Sequence, residues 1–473
     1  MLANFIYILR SKALISVITI LYTALLVRLL TSQQFAVVAL FEMLLLLTNT
    51  ISSLGLESLL IKRLPALVEQ RKSKTILKLG CVVIQQRLVF SGLFLLIVYI
   101  FSEPLLNKFA LTIDQFDFFM FSILCLTLVN SLTIYFQATL QVKLISSIEI
   151  FYNFTSKIII LAMLYMYGFD GFLIGLSATA LFYLLILYIK SNLSLFERFS
   201  FKRRKVLLKS SIPLYFSGLT RFFILQGDQL IIASFFSPHS MAVYALAKKM
   251  IGYLKVIIDS LSTPFILKLN QCSNQKTLQG LYCAKGFQSY IYILLPLLIG
   301  LSINSELAFS LMGGDKYNDD FSVLFFLAIA NLLFVINTFL SNAIFSRLST
   351  FLYFKIDSVS NIIGFSVSSM ALFYFHEERL GLNQLLSYSS ITVSLFFLAC
   401  FFGKDKIFPV LFNSTMKILS LNLLFLFAGL MLSNMFSVFE MLFVTVSFVP
   451  LYLIYLKFDS DLLVFIKRGF KIE

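Results

Sequence analysis

Charged side chains stand inside stretches of this sequence that are otherwise apolar, and they are the groups able to do chemistry. Arg221 and Asp228 are seven residues apart, which places them on one face of a helix. Lys248, Lys255 and Asp259 follow at spacings of seven and four, again on one face, with Lys249 beside them. Nearer the N-terminus, similar stretches hold Arg28, Glu42, Glu57, Arg87, Glu149 and Lys157. A charge at the centre of a membrane helix costs about 2.5–3.5 kcal/mol on the insertion scale. Each such group therefore needs a partner or a wet cavity. Two kinds of chemistry fit. An excess of cations, Arg221, Lys248, Arg28, Lys255 and Arg87, suits a phosphate-bearing ligand. The carboxylates Asp228, Asp259 and Glu149 suit uptake of a proton or Na⁺. The alternative is structural: Arg221–Asp228 and Lys255–Asp259 pair within the bundle, while Arg28 and Lys157 lie near span ends and snorkel.

Other chemistry is poorly provided for. His239 and His376 are too few and too far apart in sequence for a metal site, and the five cysteines lack metal spacing. No metal is expected. The run Gly313–Asp320 lacks the ligand spacing of a calcium loop and reads as a turn with an N-cap. There is no P-loop, no Gly-x-Ser-x-Gly and no His-Glu-x-x-His. Neither a cofactor nor a catalytic centre is expected, and an ATP-driven pump is disfavoured.

The elements that must hold these charges are membrane helices. Of 473 residues, 59% are hydrophobic and only 13% charged, with mean hydropathy +0.92. Soluble domains carry about 25% charged residues. Apolar runs such as Leu93–Ile100 and Leu181–Ile189 do not alternate in polarity, which excludes an outer-membrane barrel. The spacing of apolar runs predicts spans at 12–31, 36–60, 81–101, 116–138, 148–167, 170–190, 212–236, 241–267, 286–304, 320–346, 355–375, 382–402, 408–431 and 433–456. The first run, Ala13–Leu30, contains Arg28 and reads as a retained span.

With the N-terminus inside, 27 Lys and Arg fall in inner segments and three, Lys108, Lys316 and Arg379, in outer ones. That asymmetry fixes both termini in the cytoplasm. It also accounts for the net charge of +15 without nucleic acid, because basic loops face anionic membrane lipids. The most basic connection, 196–211, reads as a topology-setting loop, with an amphipathic interfacial segment as the alternative.

The two halves echo each other. Phe35–Leu40 resembles Met241–Leu246 at an offset of 206, and Gly171 has Gly381 as its counterpart at 210. The expected architecture is all-α, with about fourteen transmembrane helices. An N-terminal lobe of helices 1–6 occupies 1–195 and a second lobe of helices 7–12 occupies 212–405. They form a parallel pseudo-repeat, and two extra helices and a cytoplasmic tail fill 406–473. Such repeats imply substrate near the midplane and alternating access.

Particular residues carry a family resemblance. Arg28-Leu29-Leu30-Thr31 with Phe35, Leu54-Gly55-Leu56-Glu57-Ser58 with Lys62-Arg63, Ser211-Ile212-Pro213-Leu214, Asp228–Ile232 followed by Val243–Lys249, and Gly314 with Tyr317 are the residues concerned. Together they resemble the polysaccharide-transport branch of the multidrug/oligosaccharidyl-lipid/polysaccharide exporter superfamily, and within it the O-antigen flippases (Wzx-type). The resemblance implies a bacterial inner-membrane flippase for undecaprenyl-diphosphate-linked oligosaccharide, with polymerase or ligase partners in the same pathway. Teichoic-acid and exopolysaccharide exporters share the motifs, so these do not specify the sugar. The rival readings are a multidrug/cation antiporter of the same superfamily, an O-antigen polymerase, and a membrane scaffold without transport.

Overall fold

An apolar chain in lipid can satisfy its peptide groups only internally, so runs of this composition must become helices. The computed structural model of the chain follows that rule: no strand occurs among the described residues. The structure describes residues 2–57, 73–139, 141–191, 201–271, 297–314, 321–347, 350–375 and 379–402, and single positions at 60, 64, 67, 68, 70, 193, 316 and 317.

In chain order the principal described helices are α1 (Leu2–Leu29), α2 (Ser32–Ser53), α3 (Ser73–Ile100), α4 (Glu103–Phe109), α5 (Ile113–Ala138) and α6 (Val142–Ser191). They continue as α7 (Phe201–Phe235), α8 (Pro238–Gln271), α9 (Ser305–Gly313), α10 (Phe321–Arg347), α11 (Thr350–Phe375) and α12 (Leu382–Phe402). Among the described residues, five segments are long and apolar enough to cross a membrane: Ser32–Ser53, Lys74–Ile100, Ile113–Ala138, Leu144–Ser191 and Phe354–Phe375. Shorter apolar segments are Leu14–Leu29 and Ser322–Thr338. The chain is a multi-pass membrane protein. The expected spans 408–431 and 433–456 lie outside the described residues, and of 286–304 the described part is 297–304, helical over 297–303.

What the helices leave uncovered suits lipid. Leu14, Val17, Leu21 and Leu25 form one exposed stripe on α1, at helical spacing, while Leu26, Val27 and Leu30 are buried. Water would expel such a stripe, and acyl chains accept it.

Helices α1 and α3 start earlier than expected, at Leu2 and Ser73, and three further differences from the sequence expectation have a local reason. The second span ends at Ser53 rather than 60, because Leu54 and Gly55 turn left-handed with φ 44° and 73°. The seventh helix starts at Phe201, inside the segment 196–211 expected as a loop. Lys, Arg, Val and Leu fill its first turns, none a helix breaker. The connection 102–115 contains the helix α4, which has a proline in its first two positions, Glu103 in its first turn and Lys108 in its last. Those charges match the helix dipole at both ends. The expected break between the fifth and sixth spans is present as Gly168, at φ 65°, within α6.

The chain divides into two compact units, Met1–Ala242 and Val243–Glu473. In the first, α2 packs on α3, α5 and α7, α1 packs on α6, and α5 packs on α6. Beyond the turn at Leu54, the buried Leu56, Leu60 and Leu64 join Val82, Val83, Leu132 and Phe136 in one apolar core. In the second unit, α12 packs on both α10 and α11.

One local detail recurs at the offset of 206 seen in the sequence. Thr31 caps α2 by accepting from the Gln34 amide at 3.2 Å, and Ser237 accepts from the Ser240 amide at 3.2 Å at the start of α8. The runs that follow, Phe35–Leu40 and Met241–Leu246, are 0–5% exposed. Gln115 at the start of α5 donates to Asp170 beside the α6 turn at 2.7 Å. Gly381, before α12, lies against the start of α10, where an added Cβ would sit 2.9 Å from the Val323 carbonyl. A further bond, Lys108 Nζ to the Ala233 carbonyl at 2.7 Å, places α4 beside the end of α7. In the first unit, the connection 102–115, the α6 turn and the end of α7 thus share one end.

Candidate functional site

Among the described residues of the first unit, the most enclosed charge is Arg87, 1% exposed on α3. Thirteen residues separate it from Ile100 at the end of α3, a rise of about 20 Å along the helix. Its guanidinium reaches α2 and the turn after it. Nη1 donates to the Asn49 carbonyl at 2.6 Å, and Nη2 donates to the Asn49 side-chain oxygen. Nη2 also lies 3.4 Å from Glu57, which is 13% exposed. Glu57 accepts from the Ser131 hydroxyl of α5 at 2.8 Å, and Asn130 Nδ2 approaches Asn49 Oδ1 at 3.5 Å. One cation therefore joins the end of α2, the start of the next helical segment and, through Glu57, α5. Removing one member of a buried pair of this kind typically costs about 3–5 kcal/mol. Left-handed backbone at Leu54 itself costs about 1–2 kcal/mol for a residue with a Cβ. Arg87 Nε, Gln86 Oε1 and Thr127 Oγ1 are buried without a hydrogen-bond partner.

A second polar group lies between α1 and α6. Lys157 donates to the Thr19 hydroxyl and sits 5.7 Å from the centre of the Tyr22 ring. The sequence suggested that Lys157 snorkels at a span end. It lies fifteen residues into α6 and eleven before the Gly168 break, so helix α1 is its neighbour. On the same helix Tyr152 stacks on Tyr183 with centroids 3.9 Å apart. Glu149, half-buried one turn before, accepts from Asn153 through its backbone carbonyl at 2.8 Å.

The remaining expected site residues fall in distinct surroundings. Arg28 is exposed in the last turn of α1, where a cation complements the helix dipole. Arg221 is exposed on α7, and Asp228, two turns on, is 2% exposed, with Oδ1 accepting from the Gln229 amide at 2.8 Å. Seven residues of helix separate the two by a rise of about 10 Å. Their shared face thus runs from an open position to a closed one. Lys248 is half-buried, with Nζ 5.4 Å from the Tyr244 ring centre. The backbone at Lys255 and Asp259 is helical, and their side chains lie outside the described residues.

Several polar residues were not singled out from the sequence. Asn49, Asn130 and Ser131 complete the network around Arg87. In the second unit Asp357 on α11 accepts from Ser341 of α10 at 2.9 Å and from Asn361 at 3.1 Å. Thr392 donates to Asn337 at 2.7 Å, joining α12 to α10. The available signal was spacing: Asp357 and Asn361 are four apart, one helical turn. Among the described residues, no group of three or more His, Cys, Asp or Glu stands close enough to hold a metal ion.

Solved structures share this fold at low sequence identity. Lipid II flippase MurJ in an inward closed conformation is similar with a TM-score of 0.61 and 13% identity, over 96% of this chain and 100% of that one. The MATE transporter VcmN of Vibrio cholerae gives 0.57 and 11%, over 86% and 98%. A MOP superfamily transporter from Pyrococcus furiosus gives 0.53 and 13%, over 88% and 96%. No curated protein matches the chain. The profile of a family described as "polysaccharide biosynthesis protein" matches residues 25–322, more than half of the sequence and the span that holds Arg28, Arg87, Lys157, Arg221, Asp228 and Lys248. The chain belongs to the polysaccharide biosynthesis protein family.

Proposed function

We propose that this chain flips undecaprenyl-diphosphate-linked oligosaccharide, an O-antigen or similar repeat unit, across the bacterial inner membrane. The direction is from the cytoplasmic to the periplasmic leaflet, by alternating access. The observation that carries the reading is the family match over 25–322, in a chain whose fold is that of transporters. In this reading the diphosphate is held by Arg221, Lys248, Lys255 and Arg28, and the isoprenoid tail stays in lipid. Asp228, with Asp259 and Glu149, carries the coupling proton or Na⁺. Exposure of Arg221 and enclosure of Asp228 support the division: an open cation meets the head group, and a closed carboxylate meets a small ion.

The reading includes about fourteen helices in two six-helix lobes, with both termini cytoplasmic. The repeated cap at Thr31 and Ser237 supports the lobes. A polymerase or ligase of the same pathway would take the product.

The test is a deletion strain whose lipids are extracted, identified by mass spectrometry and assigned to a membrane face. Complete repeat units trapped on the cytoplasmic face, cleared by the gene, are the expected result. Units already on the periplasmic face would overturn it. A second reading, a multidrug/cation antiporter, is favoured by the likeness to MATE transporters over 86–88% of the chain. It predicts that deletion sensitises cells to cationic drugs and leaves lipid-linked sugars unchanged.

A further inference from the structure

Two left-handed residues in succession, Leu54 and Gly55, end α2, and only the second is a residue for which that conformation is free of strain. A non-glycine residue in this region persists only where its surroundings over-determine it. Here the surroundings are identifiable. Before the turn, Arg87 holds the Asn49 carbonyl, which belongs to the last turns of α2, and the Asn49 side chain. After the turn, the same guanidinium faces Glu57 at 3.4 Å. Within the turn, Ser53 Oγ donates to the Thr50 carbonyl at 2.9 Å and accepts from the Gly55 amide at 3.3 Å. Leu56, Leu60 and Leu64, on the far side, are locked into the core against α3 and α5.

We propose that Arg87 is a positioning residue: it bridges the two sides of the Leu54–Gly55 turn and thereby sets the direction in which the chain leaves the second helix. It is not a phosphate ligand. Its two Nη atoms are engaged by Asn49 and Glu57, and 1% exposure leaves no approach for a head group. Arg87 therefore leaves the cation set that the sequence suggested. Lysine is a poor substitute, because a point charge cannot span Asn49 and Glu57 as a planar fork does.

The full chain is used for the test, with its five cysteines replaced by serine and Leu46→Cys and Gln70→Cys added to carry spin labels on either side of the turn. In purified protein the unaltered turn should give one narrow distance distribution. Arg87→Gln should broaden or shift it, Arg87→Lys should do so in part, and Glu57→Gln, which keeps the Ser131 bond, should do so too. Leu54→Gly added to Arg87→Gln should restore the narrow distribution, since glycine holds the turn without help. Where Arg87→Gln does not accumulate, Glu57→Gln with and without Leu54→Gly makes the same comparison.

An unchanged distribution in Arg87→Gln, or no restoration by Leu54→Gly, overturns the proposal. Transport provides the second readout and rests on the proposed function: it should be lost in Arg87→Gln and regained with Leu54→Gly, a rescue no missing phosphate ligand would show. The distance measurement needs no substrate. Failure of the wild-type chain to move lipid-linked sugar would refute the flippase reading and leave the positioning role standing.

Discussion

The ammonium of Lys108 donates to the carbonyl oxygen of Ala233 at 2.7 Å, across 125 residues of sequence. Lys108 lies in the last turn of the short helix α4, and Ala233 in the last turn of α7. The carbonyls at a helix end lack intrahelical donors, and a cation there satisfies one and opposes the dipole. Lys108→Met should remove about 1–2 kcal/mol from this junction. The expected outcome is a lower thermal midpoint of the purified full chain, with Lys108→Arg close to wild type. An unaltered midpoint in Lys108→Met would mean that water serves the carbonyl equally well.

Arg221→Ala should abolish transport without loss of protein. The side chain is exposed, and truncating an exposed residue usually changes stability by no more than about 0.5 kcal/mol. Immunoblotting of membranes alongside the lipid assay separates the two effects. Normal flipping by Arg221→Ala would remove this residue from the substrate path.

Asp228→Asn keeps the size of an almost fully buried side chain and removes its charge. If the carboxylate carries the coupling ion, the variant should still let substrate equilibrate between leaflets and should no longer respond to a proton or Na⁺ gradient. Reconstituted vesicles, with and without each gradient, supply the measurement. A variant as gradient-dependent as wild type would move coupling to another carboxylate.

Gly171→Ala should be far more damaging than Gly218→Ala. A Cβ at 171 would lie 2.1 Å from the Met163 carbonyl oxygen, whereas nothing lies within 4 Å of one at 218. Backbone would have to move at Gly171. Overpacking of this kind costs about 1–3 kcal/mol or more. Membrane accumulation and thermal midpoint of the two variants check the contrast.

What the sequence made legible follows the strength of each physical signal. Span positions were readable because a bilayer demands about twenty apolar residues with little tolerance, and α2, α3, α5, α10, α11 and α12 lie where the apolar runs are. The break between the fifth and sixth spans was readable from the gap between two apolar runs, although the glycine singled out there was Gly171 and the residue that turns is Gly168, at φ 65°. The early end of α2 was not. Leucine at position 54 is an unexpected residue to turn left-handed, and the contacts that hold it come from Arg87, over thirty residues away in sequence. The uncharged members of the Arg87 network were equally silent, since Asn49, Asn130 and Ser131 resemble other polar residues scattered through spans. Asp357 escaped notice because it lies in the first two turns of α11, beside Lys355, where charges near a membrane surface are ordinary. Arg87 was found as a buried charge, but spacing alone carried no sign of its partners.

The enclosure of Phe35–Leu40 and Met241–Leu246 on every side has a consequence for genetics. A buried helix turn tolerates neither added volume nor polarity at any of its positions, whereas the exposed stripe Leu14, Val17, Leu21 and Leu25 asks only that its residues dissolve in acyl chains. In a saturation library selected for growth, the two runs should emerge as twin gaps in the tally of surviving alleles, one 206 codons after the other, while the stripe remains permissive for almost any greasy replacement.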